Sequence, residues 1–218
     1  RDSSTSRGLG DVYKRQVSRN VGEYRYPLGG KLYVFNKNEN IGFIKGHMCS
    51  PAIATQAEDL IAGGVKELIH VGYAGGLQPE LVPGEIILTD GAFNDTAVAR
   101  LYGYDYDIIH SSKDLTNEIE EMITSAEILY KRGFHWTTDA GYRETWGQVM
   151  DYRDKGALCV EMEGVGLFTI ANYRKCVATG IYVVSDVYLE DDWKLGWEGN
   201  DIKKAVGEII DMIIKSIR

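Results

Sequence analysis

Cysteine, histidine, basic clusters and long apolar runs are all scarce in this chain, and each shortage narrows what it can do. Cys49, Cys159 and Cys176 are odd in number, widely spaced and set among apolar neighbours. That excludes a disulfide framework and favours buried free thiols in a reducing cytosol, so a cytoplasmic location is expected. No apolar stretch nears the roughly 20 residues that cross a bilayer, so no membrane partner is expected. Lys and Arg number 24 against 32 Asp and Glu, a net charge of −8, with no Arg/Lys stripe interleaved by aromatics. Nucleic acid is therefore not an expected partner. The four histidines, His47, His70, His110 and His135, show no metal-ligand spacing such as H-E-x-x-H, and no metal is expected. Internal repeats, low-complexity tracts and linkers are also absent after residue 16.

What is present fits a soluble globular fold: 218 residues, 44% hydrophobic and 26% charged. The opening "RDSSTSRGLGDVYKRQ" is Ser- and Arg-rich, aperiodic and without the apolar core of a signal peptide. Residues 1–16 read as adaptor-derived sequence, leaving 17–218 as a single domain whose natural start is missing. From there strands and helices alternate. "KLYVFN" and "IGFIKG" read as neighbouring strands, and "VKELIHVG", "GEIILTD", "ALCVEM" and "CVATGIYVVSD" as further ones. Ser50 and Pro51 predict a helix N-cap and first position, with Gly63 and Gly64 as its stop. Residues 114–132 and 144–155 have helical spacing, as does "EGVGLFTIANYR". The closing segment from Asp201 to Ile217 is amphipathic. Such alternation implies an α/β layered fold with a parallel or mixed sheet.

Ligand sites in such folds gather at the carboxyl ends of strands. "HVGYAGG", "VEMEG" and "VVSD" have that placement, and "TTDAGYRET" is a polar loop beside them. Glycines after a strand permit close backbone approach to a ligand, or simply make a tight turn. Glu161 and Glu163 would share one face of a strand; if a helix begins here, the second caps it instead. The alternative is a carboxylate aimed at polyol hydroxyls, with Met162 against a sugar ring. Asp186 follows Ser185 at the end of the most hydrophobic strand, either as a helix cap or as a general acid. His70 leads into the glycines. Trp193 and Trp197 read as local core or part of a lid.

Together these stretches resemble the nucleoside phosphorylase superfamily, which includes purine nucleoside and uridine phosphorylases and methylthioadenosine nucleosidases. The resemblance runs from about residue 28 to the end. It rests on "GHMCSPAIATQAEDLIAGGVKELIHVGYAGGLQPELVPGEIILTDGAF", "AVARLYGYDY", "TTDAGYRET", "ALCVEMEGVGLF" and "VVSD", in that order. It implies a three-layer α/β/α sandwich around a mixed, partly closed β-sheet, built into homo-oligomers (dimers, trimers or hexamers). It also implies cleavage of a nucleoside N-glycosidic bond with inorganic phosphate as co-substrate and no cofactor. Carried onto this sequence, Asp186 is the catalytic acid, and Met162, Glu163 and Glu161 lie at the ribose. Ala74, Gly75, Tyr142, Val160 and Ser185 lie at the base, and His70, Gly72 and Tyr73 at the phosphate. The Ser185–Asp186 pair points to purines.

The chain departs from phosphorolytic members at its start, where their glycine-rich loop and arginine are not found. His70 stands where they usually carry arginine, and Tyr73 where they carry serine or threonine. If His70 is the anion clamp it must be an imidazolium; otherwise Arg19 or Arg25 from a neighbouring subunit would serve. Two alternatives stay open. One is a hydrolytic purine or methylthioadenosine-type nucleosidase; the other is a catalytically silent nucleoside-binding or scaffold protein.

Overall fold

The computed structural model describes residues 18–24, 30–36, 38–190, 193–196 and 199–216; the stretch 1–16, Arg25 and Trp197 lie outside these. Along the chain run β1 (Ser18–Tyr24), β2 (Gly30–Phe35), β3 (Asn38–Phe43), α1 (Ser50–Ala62), β4 (Glu67–Gly76), β5 (Ile86–Asp95), α2 (Val98–Leu101) and β6 (Ile108–His110). They are followed by α3 (Lys113–Ser125), β7 (Lys131–Thr138), a 3-10 turn (Gly141–Arg143), α4 (Trp146–Asp154) and β8 (Cys159–Glu161). The last elements are α5 (Gly164–Arg174), β9 (Val177–Tyr188), β10 (Trp193–Leu195) and α6 (Asn200–Ser216).

β1, β2 and β3 form a small antiparallel sheet, and the other strands a mixed one ordered β10-β9-β4-β8-β7-β5-β6. β9 also pairs antiparallel with β5, from Ile86↔Val183 to Leu88↔Ile181. This closes β9, β4, β8, β7 and β5 into a ring, with β6 and β10 outside it as edges. The expected mixed, partly closed sheet is present. β9 is buried along nearly its whole length, as a strand covered on both faces must be, and this explains its near-continuous apolar run.

Helices cover the sheet on both sides. Ile53, Ala54 and Ala57 of α1 pack with Val165, Phe168 and Ile170 of α5 and with Val98 and Ala99 of α2. On the opposite side, Leu115, Ile119 and Ile123 of α3 meet Ile202, Ile209 and Ile213 of α6 over Leu88, Ile181 and Val183. Each such side chain, fully buried, contributes roughly 1.5–3 kcal/mol. The apolar face read from the closing segment is thus the face that α6 presents to the sheet.

Four local readings are corrected. α3 ends at Ser125 and Lys131 opens β7, so 114–132 is not one helix. Glu127, at φ 56°, turns the chain left-handed with no glycine or proline to signal the stop. The N-cap of α1 is Cys49; Ser50 is already helical, with Pro51 in the first turn. "GYAGG" is no loop, because β4 continues through Gly76 and both glycines pair with β8 and β9. Of the thiols only Cys159 is buried, whereas Cys49 and Cys176 are partly exposed.

Candidate active site

Three neighbouring strands bring the distant sequence stretches into line. Gly75 of β4 stands opposite Val160 of β8 on one side and Asp186 of β9 on the other. At about 4.8 Å per strand spacing, the backbones of Val160 and Asp186 are roughly 10 Å apart. Between Ala74↔Val184 and Gly75↔Asp186 the register slips by one residue, leaving Ser185 as a bulge. Such a bulge re-aims the side chains that follow it. Ser185 Oγ lies 2.5 Å from Asp186 Oδ1 and 3.2 Å from the Ala74 carbonyl oxygen, so its single proton serves one of them at a time. β9 continues to Tyr188, which rules out Ser185 or Asp186 as a helix cap.

Position 75 accepts a side chain only if its neighbours shift. A Cβ there would sit 2.8 Å from Tyr188 Cε2, 3.3 Å from Asp186 Oδ2 and 3.3 Å from Val160 Cγ1. The glycine therefore lets Asp186, Val160 and the Tyr188 ring converge on one small volume. Ala74 is buried beside it.

The Glu-Met-Glu turn separates its two acids. Glu161 is buried, and its carboxylate accepts from the backbone N–H groups of Glu163 (2.8 Å) and Gly164 (2.8 Å). The same group meets Thr137 Oγ1 at 2.5 Å and His135 Nε2 at 3.0 Å. It is thus the anionic cap of α5, where the helix dipole favours negative charge. Burial pushes its pKa up, but His135, His70 and the Thr137 hydroxyl outweigh that and hold the group below the usual carboxylate range. Glu161, expected at the ribose, faces inward instead with its oxygens engaged by protein donors.

Glu163 occupies the N-cap position of α5 yet contributes no side-chain cap. Its Oε1 accepts from the backbone N–H of Cys49 at 2.7 Å. Burial, and then the negative charge of Glu161, push its pKa up to about 7. Cys49 holds this bond at φ 74°, an uncommon conformation for a non-glycine residue. Ser50 Oγ donates to the Met162 carbonyl at 3.0 Å, so α1 grips the turn from two successive residues. Met162 is half-buried, and its Sδ lies 4.0 Å from where a Cβ on Gly141 would stand.

The remaining expected residues divide. Tyr142 is fully exposed on the 3-10 turn and covers nothing in this arrangement; its neighbour Gly141 is the turn residue close to Met162. Tyr73 is half-exposed on β4. The His70 ring turns inward, edge-on to Tyr182 (5.6 Å between centroids), with Nδ1 buried and without a hydrogen-bond partner. A Cβ on Gly72 would lie 3.1 Å from its Cε1. Burial lowers the His70 pKa, with Glu161 opposing and His135 adding to the effect, so the ring is neutral near neutral pH. That burial works against the imidazolium clamp for phosphate expected at His70.

His135, Thr137, Cys49 and Ser50 hold the turn, and none was singled out by sequence for this. His135 Nδ1 lies 2.6 Å from Thr89 Oγ1, extending a buried chain from Glu161 toward β5. The one available signal was the His-x-Thr alternation in "FHWTT", which puts both side chains on one strand face. Among the described residues, no group of three or more His, Cys, Asp or Glu could hold a metal ion. Among them also, no helix is long and apolar enough to cross a membrane.

Known proteins are similar to this chain. Purine nucleoside phosphorylase DeoD-type of Exiguobacterium sibiricum is 32% identical over 139 residues, covering 62% of this chain and 59% of its own length. Its namesake from Caldanaerobacter subterraneus is 33% identical over 156 residues, covering 66% and 67%. The chain thus spans about three-fifths of the length of the first of these relatives. A solved Plasmodium knowlesi homologue of P. falciparum PNP superposes with a TM-score of 0.75 over 94% of this chain and 82% of its own, at 19% identity, a likeness of fold. The phosphorylase superfamily as a whole matches residues 8–215, and the chain belongs to that family.

Proposed function

We propose that the protein cleaves the N-glycosidic bond of a purine nucleoside with phosphate, giving the free base and ribose 1-phosphate. One observation supports the reading: Gly75 stands between Asp186 of β9 and Val160 of β8, the strand that leads into the Met162–Glu163 turn. The names of the relatives support the purine and phosphate parts.

In this reading Glu163, ionised above about pH 7, accepts hydrogen bonds from the ribose hydroxyls while Met162 packs on the sugar. Bond breaking builds positive character on the sugar and negative charge on the leaving base. Asp186 donates a proton to that base, and the fixed ribose reduces the orientational cost of attack. Val160, Ala74, Gly75 and Ser185 frame the base. Phosphate enters near Gly72 and Tyr73 and takes the anomeric carbon; no cofactor is needed. A homo-oligomer is part of the same proposal.

A neutral, inward His70 favours a second reading, in which water takes the place of phosphate. A nucleoside panel assayed with and without phosphate decides between the two. Phosphate-dependent ribose 1-phosphate supports the first reading, and phosphate-independent free ribose the second. Binding of nucleosides without any turnover would sink both.

A further inference from the structure

A histidine that touches no substrate in the nucleoside reading stands behind the Glu-Met-Glu turn. His135 of β7 is fully buried, packed against Tyr182 (4.8 Å between ring centroids) and Phe168 (6.1 Å). Its Nδ1 lies 2.6 Å from Thr89 Oγ1, and its Nε2 lies 3.0 Å from Glu161 Oε1. Thr89 Oγ1 has one proton, which it can give to Nδ1 or to the Gly91 carbonyl at 2.9 Å. In either case a bare lone pair on Nε2 would face a carboxylate, so Nε2 carries a proton and donates to Glu161. The other oxygen of that carboxylate, Oε2, accepts from the backbone N–H of Glu163 at 2.8 Å. An unbroken line of hydrogen bonds therefore runs from Thr89 through the imidazole and Glu161 to the backbone that carries Glu163. Gly164 makes room for it, because a Cβ there would collide with His135 Nε2 and stand 3.0 Å from Tyr182 Oη.

We propose that His135 is a positioning residue: through Glu161 it fixes the Met162–Glu163 turn, so that the Glu163 carboxylate meets the ribose hydroxyls in one orientation. The proposal deepens the nucleoside reading and rests on it. Glu163 is anchored twice, by Glu161 at its backbone N–H and by the Cys49 N–H at its carboxylate. Without the imidazole, Glu161 keeps only the Thr137 hydroxyl and the first N–H groups of α5, and the first of those anchors loosens. A displacement of about 1 Å at a substrate contact can cost on the order of 10²-fold in rate. That cost falls on substrates with hydroxyls for Glu163 to hold and spares those without them.

Release of hypoxanthine from inosine and from 2′,3′-dideoxyinosine, in phosphate buffer, tests this whichever nucleophile attacks. The unaltered protein should prefer inosine in kcat/KM by about ten- to a hundred-fold or more. Comparing that ratio between variants cancels the different intrinsic lability of the two bonds. His135→Val suits a strand but removes the donor, and should cut the preference about tenfold, through inosine alone. His135→Gln keeps an N–H donor and should restore part of it. Gly164→Ala should push the imidazole off Glu161 and weaken the preference, yet change it little on the His135→Val background. Thermal melts show which variants are folded, and Gly164→Ala carries the comparison if His135→Val is not. A preference surviving intact in the folded variants, or equal losses on both nucleosides, makes His135 a core residue only and leaves the nucleoside reading standing. Release from neither nucleoside by the unaltered protein, or no preference between them, removes the ribose reading, and this inference with it.

Discussion

The backbone N–H of Glu163 donates to Oε2 of Glu161 at 2.8 Å, so the first acid of the Glu-Met-Glu turn holds the second in place. Two residues that look alike in sequence thus have different duties. Glu161 trades its hydration for protein donors, whereas Glu163 is only partly buried and accepts from the Cys49 N–H.

Glu161→Gln and Glu163→Gln should separate these duties. The first puts an amide where a buried carboxylate accepts from several donors, and breaking such a buried pair costs about 3–5 kcal/mol. The melting temperature should fall by roughly 6–20 °C for a chain of this size. Glu163→Gln should melt within a few degrees of the parent yet lose about ten- to a hundred-fold in kcat/KM. Paired melting curves and kinetics check the contrast; a melting loss in the second variant as large as in the first would contradict it.

The raised pKa of Glu163 has two consequences of opposite sign. Activity should rise as pH passes about 7, because the ribose needs the ionised form. Stability should fall over the same approach. Between the unfolded value of about 4.3 and the folded value of about 7 the folded state holds the extra proton, so this group's contribution is lost as pH rises. Glu163→Gln should remove both slopes, and a pH–rate profile beside pH-dependent denaturation would reveal either one persisting.

Asp186→Asn removes a proton donor while keeping shape, so purine nucleoside cleavage should drop about 10²–10⁴-fold. Substrates with activated leaving groups, such as p-nitrophenyl riboside, need no such proton and should be spared. Equal losses on both substrate types would assign Asp186 a structural role.

Phosphate dependence should show no inflection from His70, because burial keeps its ring neutral. In the folded protein its pKa lies below the unfolded value of about 6.5. Stability from this group is therefore present above that pH and lost as pH falls toward the folded pKa. His70→Gln should flatten the acid limb of the stability curve and leave the phosphate KM within about threefold. A tenfold rise in phosphate KM would restore His70 to the anion site.

Two glycines should fail in different ways. Gly75→Ala drives a methyl group to within 2.8 Å of the Tyr188 ring, a side chain that can move, so base affinity should suffer more than stability. Gly166→Ala puts its Cβ 2.5 Å from the Ser50 carbonyl oxygen, where α5 crosses α1. Backbone cannot yield so cheaply, and a loss of about 1–3 kcal/mol or more is expected by denaturation. Indistinguishable stabilities would refute this contrast.

Sequence alone determined the layered α/β class, because strand-length apolar runs and 3.6-residue periodicity are local signals that packing then reinforced. It also located "GYAGG", "EME" and "SD" as stretches that belong together. What it left open depended on partners far along the chain. Whether "GYAGG" turns or stays extended depended on Val160 and Asp186 standing beside Gly75, on strands distant from it in sequence. Which glutamate turns inward depended on His135 and Thr137 of β7 and on the first N–H groups of α5. The surroundings of His70 depended on burial against Tyr182. A side chain's protonation and free valence are set by what surrounds it, and only the tertiary structure assembles that environment.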